Sequence, residues 1–334
     1  MTFDEYQPER TPLPTRRHLL TAALAAASAT AFAPRLAFAA GPLTVVATTG
    51  MIADAARRVG GDLVEVKGLM GPGVDPHSYR QTRTDIVALT RADLVLWHGL
   101  YLEAQMEEFL VKLGARNTVV PVADSLAKDR LLAHAQYEDK FDPHVWMSPG
   151  LWHDVIPAVR DALIEALPEG EATFRANAEA YEGEIAALGE YVAKVMATVP
   201  AERRVLVTAH DAFSYFGRDY DVEVVGVQGI STESEAGLAR IEEIVDALVT
   251  RKIEAVFVET SVSDRNMRAL VEGAGARGHA VRIGGELFSD AMGEPGTYEG
   301  TYLGMIDHNA TTIARALGGD APARGMVGAL SATI

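Results

Sequence analysis

Between residues 169 and 199 the apolar side chains Phe174, Ala178, Tyr181, Ile185, Leu188, Val192 and Val195 recur in alternating steps of four and three. That spacing draws a single stripe down one helix. About thirty residues at 1.5 Å each make a rod of roughly 45 Å, longer than half of such a chain needs. The pattern predicts a rigid strut with a separate half of the protein laid along each end. The competing use of such a stripe, coiled-coil pairing with a second copy, fits less well, because the seam is single and short in an otherwise α/β chain.

On either side of the strut the sequence alternates short apolar runs with amphipathic ones. The first half reads as strands at 43–48, 63–69, 93–97 and 117–122, with helices at 51–59, 84–91 and 103–113 between them. Helix 150–167 then leads to the strut. The second half reads as strands at 205–210, 222–227, 255–259 and 280–283, and helices at 234–249, 264–274 and 302–317. This alternation implies parallel sheets flanked by helices, an α/β architecture in two lobes. Val205-Leu206-Val207-Thr208-Ala209-His210 echoes Val45-Val46-Ala47-Thr48-Thr49-Gly50, and 222–227 echoes 64–69, a weak internal repeat. The expected division is 40–168, the strut at 169–199, and 200–334.

Residues 1–39 read differently. Arg16-Arg17 precede an Ala/Leu-rich run at 19–33, and Ala37-Phe38-Ala39 has the small-x-small form of a cleavage site. Together they predict an export signal of twin-arginine type, cut after Ala39, and a periplasmic mature chain. No other stretch is long enough to span a membrane. The net charge of −16 becomes −17 once this segment, at +1, is set aside. A surface this acidic argues against nucleic-acid binding. With no cysteine, disulfides, thiolate metal sites and lipid attachment through an N-terminal Cys are all excluded.

Two turns stand out against this frame. Asp75-Pro76-His77 and Asp142-Pro143-His144 repeat one tripeptide, the second running into Val145-Trp146. Proline fixes its own φ and biases the residue before it toward extended backbone. Both histidines therefore sit on stiff, non-helical chain, and neutral imidazole is the commonest side-chain metal ligand. In open α/β sheets ligands bind beyond the carboxyl ends of strands. His210 ends the first strand of the second half, and Asp290 lies in the loop 284–293 after the last. Three imidazoles and a carboxylate, two residues from each half, could enclose a divalent ion. Each has a plainer use. A lone histidine on a turn is commonly a surface hydrogen-bonding group, and Asp290 could cap a helix. Asp75 and Asp142 read as turn formers that could also brace the imidazoles. Glu259 competes as a strand-end carboxylate, and Glu233 and Glu235 look like charge at a helix N-terminus. His98, after a strand, is the strongest remaining histidine; His134, His153, His279 and His308 read as surface.

These residues carry a resemblance. With Thr208-Ala209-His210-Asp211-Ala212-Phe213, the two Asp-Pro-His turns, the 284–293 loop and the long helix, the chain resembles the metal-binding solute-binding proteins of zinc and manganese ABC importers. The likeness covers essentially the whole mature chain. It implies metal on His77, His144, His210 and Asp290, one Mn2+ or Zn2+ carried as cargo, a membrane permease as partner, and a monomeric receptor. The His-His-His-Asp set resembles the Tro-type branch more than the His-His-Glu-Asp manganese receptors. Dedicated zinc receptors of the family carry a His-rich loop before the second histidine. Residues 123–143 hold only His134, which tilts the expectation toward manganese.

Two other functions could use parts of this pattern. A secreted zinc metallohydrolase needs an open coordination position and a general base. Four ligands leave a tetrahedral zinc no vacancy, and the chain has neither His-Glu-x-x-His nor Gly-x-Ser-x-Gly. The expectation is therefore not an enzyme. A metal chaperone or adhesin would use the same site and differ only in partner.

Overall fold

The computed structural model describes residues 41–134 and 137–331. The export segment expected at 1–39 lies outside the described residues. In the first half β1 (Leu43–Ala47), β2 (Val64–Gly68), β3 (Leu94–Trp97) and β4 (Val119–Pro121) form a wholly parallel sheet in the order β2-β1-β3-β4. Helices α1 (Gly50–Gly60), α2 (Arg83–Arg91) and α3 (Glu107–Leu113) alternate with them. β3 is buried along its whole length, as a strand covered on both faces must be. A capping box between Thr82 and Asp85 starts α2.

The helix expected at 103–113 begins only at Glu107. Residues 103–106 form hydrogen-bonded turns instead, entered through a left-handed stretch at Gly99, Leu100 and Tyr101 (φ 83°, 49° and 69°). Glu103 is buried under this turn.

Helix α4 (Pro149–Ala166) opens with Ser148 capping Leu151 N–H and proline in the first turn. The strut is α5 (Glu171–Met196), 26 residues long and shorter than the expected 169–199, because Pro168–Gly170 forms a separate 3-10 turn. Its seam is buried as the spacing requires, from Phe174 to Val195. It packs on α1 and α4 of the first half and on the last helix of the second. Burying a large apolar side chain is worth about 1.5–3 kcal/mol. An exposed ion pair such as Arg58–Glu184, beside the same seam, adds at most about 1 kcal/mol, so the seam fixes the helix in place.

The second half contains β5 (Val205–Thr208), α6 (Ser214–Tyr220), β6 (Glu223–Gly226), α7 (Leu238–Arg251), β7 (Ala255–Glu259), α8 (Arg265–Ala276), β8 (Arg282–Leu287) and α9 (Tyr302–Ala316). β5 pairs with β6 and β7 with β8, both parallel, and β5 lies beside β7. The two pairs are separate two-stranded sheets, and their spatial order β6-β5-β7-β8 follows that of the four-stranded first sheet. The repeat is one residue out of the register read from sequence. Ala47 pairs with Gly68 where Thr208 pairs with Gly226, so His210 corresponds to Thr49 rather than Gly50.

Two expected elements are corrected here. Helix α7 starts at Leu238, after an extended Gly237, and not at Ser234. Glu233 and Glu235 therefore are not first-turn charges: Glu233 accepts from the Gln105 amide of the first half, and Glu235 accepts from Gln228 Nε2 at 3.2 Å. Strand β8 runs through Gly284-Gly285 to Leu287, past the expected end at 283. A Cβ on Gly284 would meet the Phe257 ring at 2.9 Å, and one on Gly285 would meet Thr312 Cγ2 at 2.4 Å. The two glycines let Phe257 and α9 pack directly on the strand backbone, where the register also shifts.

Candidate metal centre

His77 lies in the loop after β2, His144 beyond β4, His210 just past β5 and Asp290 just past β8. The structure brings all four together. One ligand atom from each lies within 4.8 Å of all the others, and all four residues are buried. His77 Nε2 is 3.2 Å from His144 Nε2. Asp290 sets Oδ1 3.4 Å from His144 Nε2 and Oδ2 3.3 Å from His210 Nε2. Among the described residues neither Asp290 oxygen has a hydrogen bond, and neither has His210 Nε2. Buried polar atoms are seldom left that way. Donors about 2.1 Å from a tetrahedral ion stand about 3.4 Å apart. The observed spacings are therefore those of atoms that could share an ion. The two carboxylate oxygens face different imidazoles, so the set offers four donors or, with both oxygens, five.

Two of the three imidazoles are aimed from behind. His144 donates from Nδ1 to Asp142 Oδ1 at 2.7 Å, and its backbone N–H donates to the same oxygen at 3.0 Å. His210 Nδ1 donates to Glu259 Oε2 at 2.5 Å and its N–H to Oε1 at 3.0 Å. These bonds fix the tautomer and turn Nε2 inward. Glu259 is thus the brace of His210 and stands outside the ligand group, and Asp142 braces as well as turns. Asp75 holds the His77 turn: Oδ1 accepts His77 N–H at 2.9 Å, while Oδ2 accepts from Ser78 Oγ at 2.8 Å and from Thr232 Oγ1 at 2.6 Å. The His144 turn is gripped from several sides. Tyr215 Oη donates to Asp142 O at 2.8 Å, Tyr302 Oη to Trp146 O at 2.9 Å, and Trp146 Nε1 reaches across to Ser289 O at 2.8 Å.

The charges follow from this packing. Burial alone would lower the His144 pKa, but Asp142 and Asp290 outweigh it and carry it to about 9. His210 also rises, well above the usual imidazole range, because Asp290 and Glu259 overcome its burial. His77 has no such carboxylate against its ring; burial takes it down to about 3, with Asp290 opposing only in part. Burial would raise Asp290, but His210, His144 and His77 hold it well below the usual carboxylate range. The pull of these carboxylates favours protons on His144 and His210 in the metal-free state, which a divalent cation would displace. A cavity of about 550 Å³, lined in part by Gly50, Asp54, Met70 and Met292, reaches Asp290 from outside.

Among the remaining histidines, His134 is a correction: it is buried, 8 % exposed, and packs on Tyr137 with ring centroids 4.7 Å apart. It stands outside the ligand group. His153 bonds Asp154 at 2.9 Å, His279 donates to Ile253 O at 2.7 Å, and His308 donates to Glu286 O at 2.9 Å. Sequence reasoning missed Glu103, whose buried carboxylate is pushed up to about 7 by desolvation against the pull of Thr48, His98 and Gly99. Nothing in its local sequence distinguishes it.

Comparison with known proteins agrees with this geometry. Residues 45–316 match the family model described as "Zinc-uptake complex component A periplasmic". The manganese-binding lipoprotein MntA of Bacillus subtilis is 48% identical over 275 residues, covering 82% of this chain and 90% of the relative. The zinc-binding protein TroA of Treponema pallidum is 47% identical over 287 residues, covering 86% and 92%. The solved structure of periplasmic zinc-binding TroA superposes with a TM-score of 0.81 at 47% identity, over 83% of this chain and 99% of that one. Buried strand-end donors on a two-lobed frame, and sequence agreement across nearly the whole described length, place this chain in the periplasmic zinc-uptake component A family of metal-binding ABC-transporter proteins.

Proposed function

We propose that this chain is an exported receptor that captures one divalent transition-metal ion on His77, His144, His210 and Asp290 and delivers it to an ABC-type membrane permease. The observation that carries the reading is the convergence of four buried donors, two from each half, with Asp290 oxygens and His210 Nε2 lacking hydrogen bonds. In this reading the segment 1–39 directs export to the periplasm and is removed near Ala39. The long seam of α5 ties both halves to one rod, so capture needs only small movements of the ligand loops. Delivery then requires the permease to disturb one of those loops.

We favour manganese as the cargo, with zinc second. Two carboxylate oxygens facing separate imidazoles provide a fifth donor that a closed tetrahedral zinc site does not use. Zinc remains the stronger competitor for nitrogen donors by the Irving–Williams order. The test is titration of metal-free protein with Mn2+ and Zn2+ under chelator buffering, beside His144→Ala. Tight one-to-one binding that the variant loses is the expected result. Absence of tight binding by either ion would remove the receptor reading. A wild-type protein that holds Zn2+ but cannot hold Mn2+ at micromolar levels would reverse the preferred cargo.

A further inference from the structure

His98 belongs to no ligand group, yet it is fully buried beside the His144 turn. Its Nε2 lies 2.7 Å from the carbonyl oxygen of Pro143, the residue immediately before His144. A carbonyl can only accept, so Nε2 carries the proton and donates. Its Nδ1 is buried with no hydrogen-bond partner among the described residues. Leaving such a buried atom bare is costly. A residue chosen only to fill space would avoid that cost, so the donated bond must supply the compensating gain.

The rest of His98 is fixed as tightly. Its ring stands edge-on to Trp146 with centroids 5.0 Å apart, and parallel to Trp152 at 6.4 Å. Its backbone N–H donates to Glu103 Oε1 at 2.8 Å, and Thr48 Oγ1 donates to the same oxygen at 2.6 Å. A chain of bonds therefore runs from the end of β1, through Glu103 and His98 at the end of β3, to the Pro143 carbonyl. Asp142 sets the rotation of the His144 ring. It cannot set how far the turn stands from the sheet, because it belongs to that turn.

We propose that His98 is a positioning residue for metal capture: its Nε2–H bond to Pro143 anchors the Asp142-Pro143-His144 turn to the first sheet and fixes the reach of His144 Nε2 into the site. The inference rests on the receptor reading above and concerns how its ligand is held.

Two substitutions separate hydrogen bonding from packing. His98→Phe keeps a flat ring between Trp146 and Trp152 and loses the donor. His98→Gln gives up the ring and keeps an N–H at a similar reach. Each is compared with wild type for Mn2+ and Zn2+ affinity by chelator competition, for metal-free Tm, and for the visible spectrum of the Co2+-loaded protein as a reporter of coordination. Loss of a group that orients a ligand typically costs about 10–100-fold in affinity. The expected result is that loss in His98→Phe together with a changed Co2+ spectrum. His98→Gln is expected to stay within a few-fold of wild type with the wild-type spectrum, even if its Tm falls. Wild-type affinity and spectrum in His98→Phe, or losses that follow Tm across both variants, would reduce His98 to packing and overturn the proposal. If His98→Phe fails to fold, His98→Gln decides alone: a wild-type spectrum in a less stable protein supports the bond, and a changed one refutes it. Failure of wild type itself to bind would instead strike the receptor reading, so the two outcomes are distinguishable.

Discussion

His144 and His210 face the same centre from opposite halves and are held by unlike means. The first half supplies both of its candidate ligands from Asp-Pro-His turns whose backbone is tied by an aspartate two residues away. The second half builds its pair from distant chain: His210 is braced by Glu259, 49 residues further on, and Asp290 is placed by a strand that shifts register over two glycines. A local turn keeps its shape even when the fold loosens, because proline restricts the chain. A long-range brace exists only while the tertiary structure does. The first half therefore presents ligands that are largely pre-formed, and the second presents ligands conditional on folding.

The largest test of that contrast removes the only anionic ligand. Breaking a buried charge pair by deleting one partner costs about 3–5 kcal/mol. Asp290→Ala is expected to weaken Mn2+ binding by roughly that amount, about two to three and a half orders of magnitude in Kd. Chelator-buffered titration measures it. A loss under tenfold would mean that the imidazoles alone hold the ion and that the Asp290 carboxylate is dispensable.

Protonation offers the next test. A ligand must shed its proton to bind metal, so affinity depends on pH with a definite sign. Below about pH 9, His144 of the metal-free protein is charged, and His210 is raised well above its ordinary value too. His77, lowered to about 3, is already neutral. Asp290, depressed, is already a carboxylate. Binding should therefore release about two protons near neutral pH, and Kd should weaken by up to about a hundredfold for each unit the pH falls. Calorimetry in buffers of different ionisation enthalpy counts the protons. A value near zero would mean that the braced imidazoles are neutral and the carboxylates face no charge.

The third test sets one brace against the other. Asp142→Asn leaves the Pro143 turn and its outside contacts in place. Glu259→Gln loosens both the ring and the backbone of His210, which have no turn of their own. Both should fall within the range of about 10–100-fold usual for groups that orient a metal ligand, with Glu259→Gln nearer the upper end. Equal losses, or a larger one in Asp142→Asn, would mean that the local turns confer no advantage.

The same contrast decides what could be read from the sequence. Asp75-Pro76-His77 and Asp142-Pro143-His144 carry their stiffness in adjacent residues, so both histidines were legible as candidate ligands before any fold was known. The seam from Phe174 to Val195 was equally plain, because periodicity is local. Glu259 was visible only as a strand-end carboxylate, and its role as a brace depends on β5 lying beside β7, which no spacing encodes. Strand β8 was cut short for a related reason: Gly284-Gly285 looks like a loop unless Phe257 and Thr312 are known to press on it. Burial misled the reading of His134, a polar residue in a polar segment that tertiary packing nevertheless covers.

The smallest expected effect lies where the two halves touch over the site. Thr232, from the loop between β6 and α7, donates across the molecule to Asp75 Oδ2, while Asp75 Oδ1 holds the backbone of His77. The pre-formed turn of the first half is thus latched by a contact that only the folded second half supplies. Thr232→Val keeps the side-chain shape and removes that one bond. A net hydrogen bond is worth about 0.5–1.5 kcal/mol, so metal release should speed up by about two- to tenfold. The ligand set is intact, and the association rate should change less than release. Stopped-flow chelator capture from Mn2+-loaded protein reads the release rate directly. An unchanged rate would show that the Asp75 turn needs nothing from the opposite half. A rise beyond a hundredfold would show the reverse, that even the local turn depends on its distant partner.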